Sequence, residues 1–183
     1  TNWTEYRNVL PSGYGFTAFT NFLNGMFIAQ IADNETNPTH KIVTSTNGMT
    51  WTEVVGGKYP LCYGKGKYLR INVDMVNGLD YGTEGAIQYS TDLVNWTTLQ
   101  TTANDIVFTG DKFAAVRKGT PDKLLISDNG IDWTEYSLNT NNTYSMISYS
   151  GDDNRYYLAN VPSFLLYFLY DDIYNKYLHN HHS

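Results

Sequence analysis

The chain has 183 residues, and because 42% are hydrophobic and only 16% are charged, its composition excludes an intrinsically disordered protein. The net charge of -6 and the isoelectric point near 5.0 argue against a nucleic-acid partner, since phosphate neutralisation needs clustered lysine and arginine side chains. A single cysteine, Cys62, excludes an internal disulfide and a multi-cysteine zinc site, and no apolar run reaches the ~18 residues of a membrane span.

In chain order, short strand signals alternate with turns, and no helical period is sustained. Three units repeat one order of events, in which three strands and a tight turn precede a fourth strand. The predicted strands are 15–21, 26–32, 41–45 and 50–54 in the first unit, 59–64, 67–73, 86–90 and 95–99 in the second, and 105–110, 112–118, 123–127 and 132–136 in the third.

The fourth unit is less regular. Its strand signals lie between 143 and 170, and it ends in a degraded strand at 173–178 that lacks a tryptophan. Two interpretations follow. Either the N-terminal segment 2–6, NWTEY, supplies the missing outer strand and closes a ring, or the fourth unit is self-contained and Trp3 belongs to an upstream unit. Because the chain begins within a motif, we expect a fragment or a processed product.

One ten-residue phrase introduces the fourth strand of each of the first three units: STNGMTWTEV, STDLVNWTTL and SDNGIDWTEY. Trp3, Trp51, Trp96 and Trp133 follow one another at intervals of 48, 45 and 37 residues. Such periods, with several strands per unit, are typical of β-propeller blades. We therefore predict an all-β fold, a single β-propeller over 1–183 built from four-stranded antiparallel sheets. Its blades lie approximately at 8–55, 56–101, 102–138 and 139–178, with 1–6 as a closing outer strand.

The phrase has a physical explanation. A serine hydroxyl and an aspartate or asparagine side chain bond the backbone of a tight turn, and glycine supplies the positive φ that the turn needs. The tryptophan, on the outermost strand, wedges against a neighbouring unit. The residues in this pattern are Ser45, Asn47, Gly48, Trp51, Ser90, Asp92, Trp96, Ser127, Asn129, Gly130 and Trp133.

This pattern resembles the Asp-box (BNR) repeat of sialidases, of sugar-binding propellers and of bacteriophage tail and fibre proteins. Leu93 stands where glycine is usual, so we expect the second turn to be looser or differently shaped. The resemblance implies a propeller but does not identify a ligand, because Asp boxes lie on outer hairpins away from the usual ligand face.

Resemblance to sialidases also implies a test for catalysis, since those enzymes gather three arginines on the sugar carboxylate. Arg70, Arg117 and Arg155 occur at three different offsets along the aligned second strands, so they need not converge. We predict that the protein is not an enzyme and uses no cofactor. The acidic segments 151–154 and 170–172 could bind calcium, but turn chemistry explains them equally well, and we predict no metal site.

Tyrosine is unusually frequent, with 16 residues, and aromatic side chains make up 15% of the chain. Most are expected to fill the spaces between blades. Sugars bind by stacking on aromatic rings and by hydrogen bonds to hydroxyls and amides. The candidate glycan-binding residues, which lie on loops or in doublets, are Tyr14, Tyr81, Tyr144, Tyr156 and Tyr157.

Together these observations favour a non-enzymatic recognition module of a bacteriophage tail or fibre protein that binds a cell-surface polysaccharide. Its expected location is extracellular or on the virion, and a homo-oligomer is expected for the full-length protein, so that weak sites act together. Two alternatives stay open. One is a structural module that holds virion subunits together without a ligand, and the other is a secreted bacterial lectin or adhesin. No nucleic acid and no membrane span are expected.

Overall fold

A computed structural model describes residues 9–17, 21–33, 35, 38–73, 83–138 and 143–159. Within these residues every regular element is a β-strand, and the strands form four antiparallel sheets, so the predicted all-β class is confirmed. The described part of the chain contains no helix long and apolar enough to cross a membrane. The predicted closing strand at 1–6, and the end of the fourth unit from 160 onward, lie outside the described residues.

The first sheet consists of β1 (Tyr14–Phe16), β2 (Asn21–Leu23), β3 (Met26–Asp33), β4 (His40–Ser45) and β5 (Thr52–Val54). β1 and β2 pair with the same edge of β3, where the sequence predicts one continuous strand. Phe16 pairs with Ile31 and Asn21 pairs with Ile28. Residues 17–20 on one side therefore correspond to only residues 29–30 on β3. One-to-one pairing is therefore impossible there, and the strand divides.

The second and third sheets each have four strands that pair in chain order, as the sequence predicts. The second sheet consists of β6 (Cys62–Gly64), β7 (Lys67–Asn72), β8 (Gly85–Ser90) and β9 (Thr97–Ala103). The third sheet consists of β10 (Asp105–Phe108), β11 (Phe113–Arg117), β12 (Lys123–Ser127) and β13 (Thr134–Ser137). In the fourth sheet, the described strands are β14 (Met146–Ser150) and β15 (Arg155–Ala159).

A pair of aromatic rings marks the first hairpin of every sheet. In the third sheet Phe108 pairs with Phe113 across the hairpin, with ring centroids 4.8 Å apart. Offset and edge-on arrangements at this separation are favourable for aromatic rings. The equivalent pairs in the first, second and fourth sheets are Phe22–Phe27, Tyr63–Tyr68 and Tyr149–Tyr156. The fourth unit therefore follows the repeat in its first two strands.

Consecutive sheets pack against each other through their apolar side chains. Ile28 and Ile42 of the first sheet pack with Tyr68 of the second in one buried cluster. A second cluster joins the second and third sheets through Leu69, Ile87, Phe113 and Leu125, and a third joins the third and fourth sheets through Ala114, Val116 and Ile147. The first strands are neighbours as well, because β10 contacts both β6 and β14.

The second and third sheets thus each use one face toward the preceding sheet and the other toward the following sheet. In the second sheet Tyr68 faces the first sheet, whereas its chain neighbour Leu69 faces the third. This alternation follows from the two-residue period of a β-strand. Among the described residues, no hydrophobic cluster joins the first sheet to the fourth.

Candidate functional site

The three repeated turns share one hydrogen-bond geometry. At the first turn, the Oγ of Ser45 accepts hydrogen bonds from the backbone N–H groups of Asn47 (3.3 Å) and Gly48 (2.9 Å). The Oδ1 of Asn47 accepts from the backbone N–H groups of Met49 and Thr50, both at 2.9 Å. Ser127 and Asn129 make the corresponding contacts in the third turn. In the second turn the Oγ of Ser90 accepts from the Asp92 N–H, and the Oδ1 of Asp92 accepts from the N–H groups of Val94 and Asn95. These side chains hold the turn and are not free to bind a ligand through the same atoms.

The expectation of a differently shaped second turn is wrong for the backbone at Leu93. Leu93 adopts a φ of 69°, close to the 71° of Gly48 and the 75° of Gly130. The left-handed conformation strains a leucine. However, the Leu93 side chain is buried in the cluster between the first and second sheets, and this burial offsets the strain.

Trp51, Trp96 and Trp133 are only partly buried, and each lies just before an outer strand rather than on it, in contrast to the prediction. The indole Nε1 of Trp51 donates to the carbonyl oxygen of Gly48 at 3.1 Å, and that of Trp96 donates to Leu93 at 2.7 Å. The hydrogen bond to its own turn holds the ring at the strand entrance. Trp96 and Trp133 pack against the clusters shared with the preceding sheet, as a wedge should.

Two of the candidate glycan-binding tyrosines have rings that pack against other residues of the chain. Tyr144 is buried in the cluster between the third and fourth sheets, so its ring faces are covered. Tyr14 is half-buried on the first sheet, and the Nζ of Lys41 lies 4.8 Å from its ring centroid. Tyr81 lies outside the described residues.

The other two candidates lie on β15. Tyr156 is the fourth-sheet equivalent of Phe27, Tyr68 and Phe113, and it packs against Tyr149 as those rings pack against their hairpin partners. This packing explains why an aromatic residue stands at this position. Tyr157 points to the opposite face, and its hydroxyl donates to the carboxylate of Asp153. Because Tyr14 is on the first sheet and Tyr144, Tyr156 and Tyr157 belong to the fourth unit, the repeat places these candidates on different sheets.

Two aspartates that the sequence did not single out connect the third sheet to the fourth. The carboxylate of Asp122 accepts hydrogen bonds from the backbone N–H groups of Gly119 (2.7 Å) and Tyr144. The carboxylate of Asp105 accepts from Ile106 at 2.8 Å and from Ile147 at 2.9 Å. Burial raises the pKa of Asp105 to about 6, although these hydrogen bonds lower it in part. An aspartate at the start of a strand gives no distinctive sequence signal.

The remaining ionisable groups are distributed rather than gathered. Arg70 stacks on the Trp96 ring, at 5.8 Å from its centroid, whereas Arg117 pairs with Glu135 at 2.7 Å on the third sheet. Burial raises the pKa of the Cys62 thiol, which keeps it protonated. In the described part of the chain, no three histidine, cysteine, aspartate or glutamate side chains lie close enough to hold a metal ion. The acidic segment 170–172 and the histidines at 179–182 lie outside the described residues.

An open cleft of about 390 Å³ lies beside the first turn. Thr44 and Thr52 are cross-strand partners on β4 and β5, so both hydroxyl groups point to the same side of the sheet. Met26 provides an apolar surface next to them. The residues that line the cleft are Met26, Thr44, Ser45, Thr46, Asn47, Thr50 and Thr52. None of them carries a charge, and six of the seven carry a hydroxyl or amide group.

The first turn differs from the second and third turns because it carries no charged side chain. Asp92 lies in the second turn, where hydrogen bonds from the Asn95 backbone and side chain lower its pKa, and Asp128 and Asp132 lie in the third.

Comparison of the chain with protein-family models, with curated proteins and with solved structures found no match. The local chemistry is therefore the basis for a functional proposal.

Proposed function

We propose that the chain is a four-bladed β-propeller that binds a cell-surface glycan and has no catalytic activity, as a module of a bacteriophage tail or fibre protein. The sheet packing supports the propeller. The second and third sheets each bury one face against the sheet before and the other against the sheet after, and neighbouring first strands are in contact. Radially arranged blades pack in this way.

The hydroxyl-lined cleft is the observation that carries glycan recognition. A saccharide presents many hydroxyl groups that both donate and accept hydrogen bonds, and the threonine hydroxyls of the cleft do the same. The Met26 side chain offers an apolar surface for the C–H face of a sugar ring. Because the lining is neutral, it suits an uncharged polysaccharide better than an acidic one.

The structural roles of several carboxylates support the absence of catalysis. Asp92 holds a turn, Asp105 and Asp122 join two sheets, and Glu53 and Glu135 pair with Lys41 and Arg117. Glycoside hydrolysis requires two carboxylates on opposite sides of one sugar bond. No carboxylate lines the described cleft.

A glycan array of bacterial surface polysaccharides tests the proposal, followed by calorimetry on any hit. Replacing Thr44 and Thr52 with valine keeps the shape and the strand preference of both side chains but removes two cleft hydroxyls. We expect this variant to weaken binding at least tenfold. The matched control is Thr134→Val, because Thr134 occupies the position of Thr52 in the third sheet. Equal loss in the control, or no binding to any glycan, would reject glycan recognition at the cleft.

A second candidate function, subunit assembly without a ligand, is favoured by a different observation. Phe16 and Phe22 on the first sheet are 46% and 61% exposed. Large apolar side chains that stay exposed together mark interaction surfaces. Assembly predicts self-association in a protein that binds no glycan, so the array and a mass measurement distinguish the two functions.

A further inference from the structure

The side-chain amide of Asn47 lines the cleft beside the first turn, and its oxygen and nitrogen have different roles there. The Oδ1 atom accepts hydrogen bonds from the backbone N–H groups of Met49 and Thr50, and from the hydroxyl group of Ser45 at 3.1 Å. Because the turn uses the oxygen, the Nδ2 atom remains for other contacts. Within the described part of the chain, Nδ2 donates to no protein acceptor.

The equivalent atom is bound within the other two repeated turns. In the second turn the Oδ2 of Asp92 accepts a hydrogen bond from the Nδ2 of Asn95 at 2.7 Å. In the third turn the Nδ2 of Asn129 donates to the Oδ2 of Asp132 at 2.8 Å. Thr50 holds the corresponding place in the first turn, and its side chain lines the cleft instead. The first turn is therefore the one of the three that presents an amide donor to a cleft.

The rest of the lining restricts what this donor can recognise. The N–H groups of an amide require an oxygen acceptor, the Met26 side chain offers an apolar surface, and threonine hydroxyl groups can accept a hydrogen bond. No lining residue carries a charge, which disfavours an ionic ligand. An acetamido group is neutral and combines a carbonyl acceptor, an N–H donor and a methyl group. A hydroxyl group at the same position of a sugar has neither the carbonyl nor the methyl group.

We propose that the cleft recognises the acetamido group of an N-acetylated hexosamine, with Asn47 as the residue that determines this specificity. The inference rests on the proposed glycan recognition and names the class of sugar. The Nδ2 of Asn47 donates to the acetamido carbonyl oxygen, the acetyl methyl group packs on Met26, and the acetamido N–H donates to the hydroxyl group of Thr44 or Thr52. The turn keeps its own hydrogen bonds throughout, because it uses only the Oδ1 of Asn47.

Matched sugar pairs on the glycan array test the specificity. The probes are oligosaccharides of N-acetylglucosamine and of N-acetylgalactosamine, each paired with the glucose or galactose oligosaccharide of the same linkage. We expect the N-acetylated member of a pair to bind about tenfold more tightly, which corresponds to one additional hydrogen bond of about 1.4 kcal/mol. Equal binding within every pair would overturn this inference and leave glycan recognition in place. No binding to any glycan would reject the proposed function together with the inference.

The variant Asn47→Asp tests the donor itself. Asp92 makes the same two backbone hydrogen bonds in the second turn, so an aspartate is compatible with this type of turn. The substitution replaces Nδ2 with an oxygen that cannot donate, and we expect about tenfold weaker binding of the N-acetylated probe. The matched control is Met49→Asp, which adds the same charge to the same turn at a side chain that is 42% exposed and does not line the cleft. This control should bind as the parent does.

A second variant leaves Asn47 in place and occupies its nitrogen. Thr50→Asp introduces the acceptor that Asp132 provides in the third turn, so the Nδ2 of Asn47 becomes bound within the turn. We expect the same loss of affinity for the N-acetylated probe, and circular dichroism checks that each variant is folded. Binding equal to that of the parent in either folded variant would overturn the role of Asn47. An equal loss in Met49→Asp would also overturn it, because the loss would then follow from charge alone.

Discussion

The indole nitrogen of Trp96 donates a 2.7 Å hydrogen bond to the carbonyl oxygen of Leu93, a residue that the turn holds at a φ of 69°. Trp51 makes the same contact to Gly48 at 3.1 Å. The repeated phrase thus conserves a shape rather than a residue, since leucine can occupy the glycine position where its side chain is buried. This relationship leads to the first two predictions.

We expect Leu93→Gly to destabilise the protein by about 2 kcal/mol, because loss of the buried side chain costs more than the roughly 1 kcal/mol that relief of the left-handed strain returns. Urea unfolding monitored by tryptophan fluorescence measures the change. Leu93→Ala keeps the strain and loses most of the burial, so it should be less stable than Leu93→Gly. An unchanged or increased midpoint for the glycine variant would contradict this account.

The tryptophans should differ in their tolerance of phenylalanine. Trp96→Phe loses the hydrogen bond to Leu93, whereas the buried Nε1 of Trp133 has no partner among the described residues. Removing an unpaired buried donor relieves a desolvation cost. We therefore expect Trp96→Phe to cost about 1 kcal/mol more than Trp133→Phe in the free energy of unfolding. Equal losses in the same denaturation assay would show that the indole hydrogen bond contributes nothing.

The buried serine of the third turn should contribute more to stability than an exposed serine on the same sheet. Ser127→Ala removes the acceptor for the backbone N–H groups of Asn129 (3.3 Å) and Gly130 (2.8 Å), the second of which is buried. We expect a loss of about 1–2 kcal/mol in thermal or urea unfolding. The matched control is Ser137→Ala, which removes only an exposed contact with Lys123 and should change stability by less than about 0.5 kcal/mol. The two variants should not have equal stability.

Asp105 should make stability depend on pH between about 4 and 6. Its pKa is raised to about 6 in the folded protein, from an ordinary value of 3.8, so the folded state binds more protons than the unfolded state in this range. The contribution of Asp105 to the free energy of unfolding therefore decreases by about 2–3 kcal/mol as pH rises across this range. Other carboxylates make stability change with pH in the opposite direction, so the quantity to measure is the unfolding free energy of the parent minus that of Asp105→Asn. This quantity should decrease from pH 4 to pH 6, and a value that does not change with pH would contradict the raised pKa.

The sequence alone determined the strand order and the turns, because both depend on local chemistry. Strand alternation follows from the two-residue period, and the contacts within Ser45–Gly48 or Ser127–Gly130 span only three residues along the chain. The aligned positions of Phe27, Tyr68, Phe113 and Tyr156 reflect the register of one hairpin, which the repeat preserves. Local signals of this kind are readable without knowledge of the neighbours.

Only the tertiary structure decided which of these residues are available at the surface. Tyr144 and Phe22 look alike in sequence as aromatic residues in or beside short strands, yet one is buried between two sheets and the other is 61% exposed. The cleft beside the first turn brings Met26 together with Thr52 across three adjacent strands, and Asp105 reaches Ile147 on the next sheet. Exposure and convergence depend on which sheet covers which face, and that is set by contacts between residues far apart in the chain.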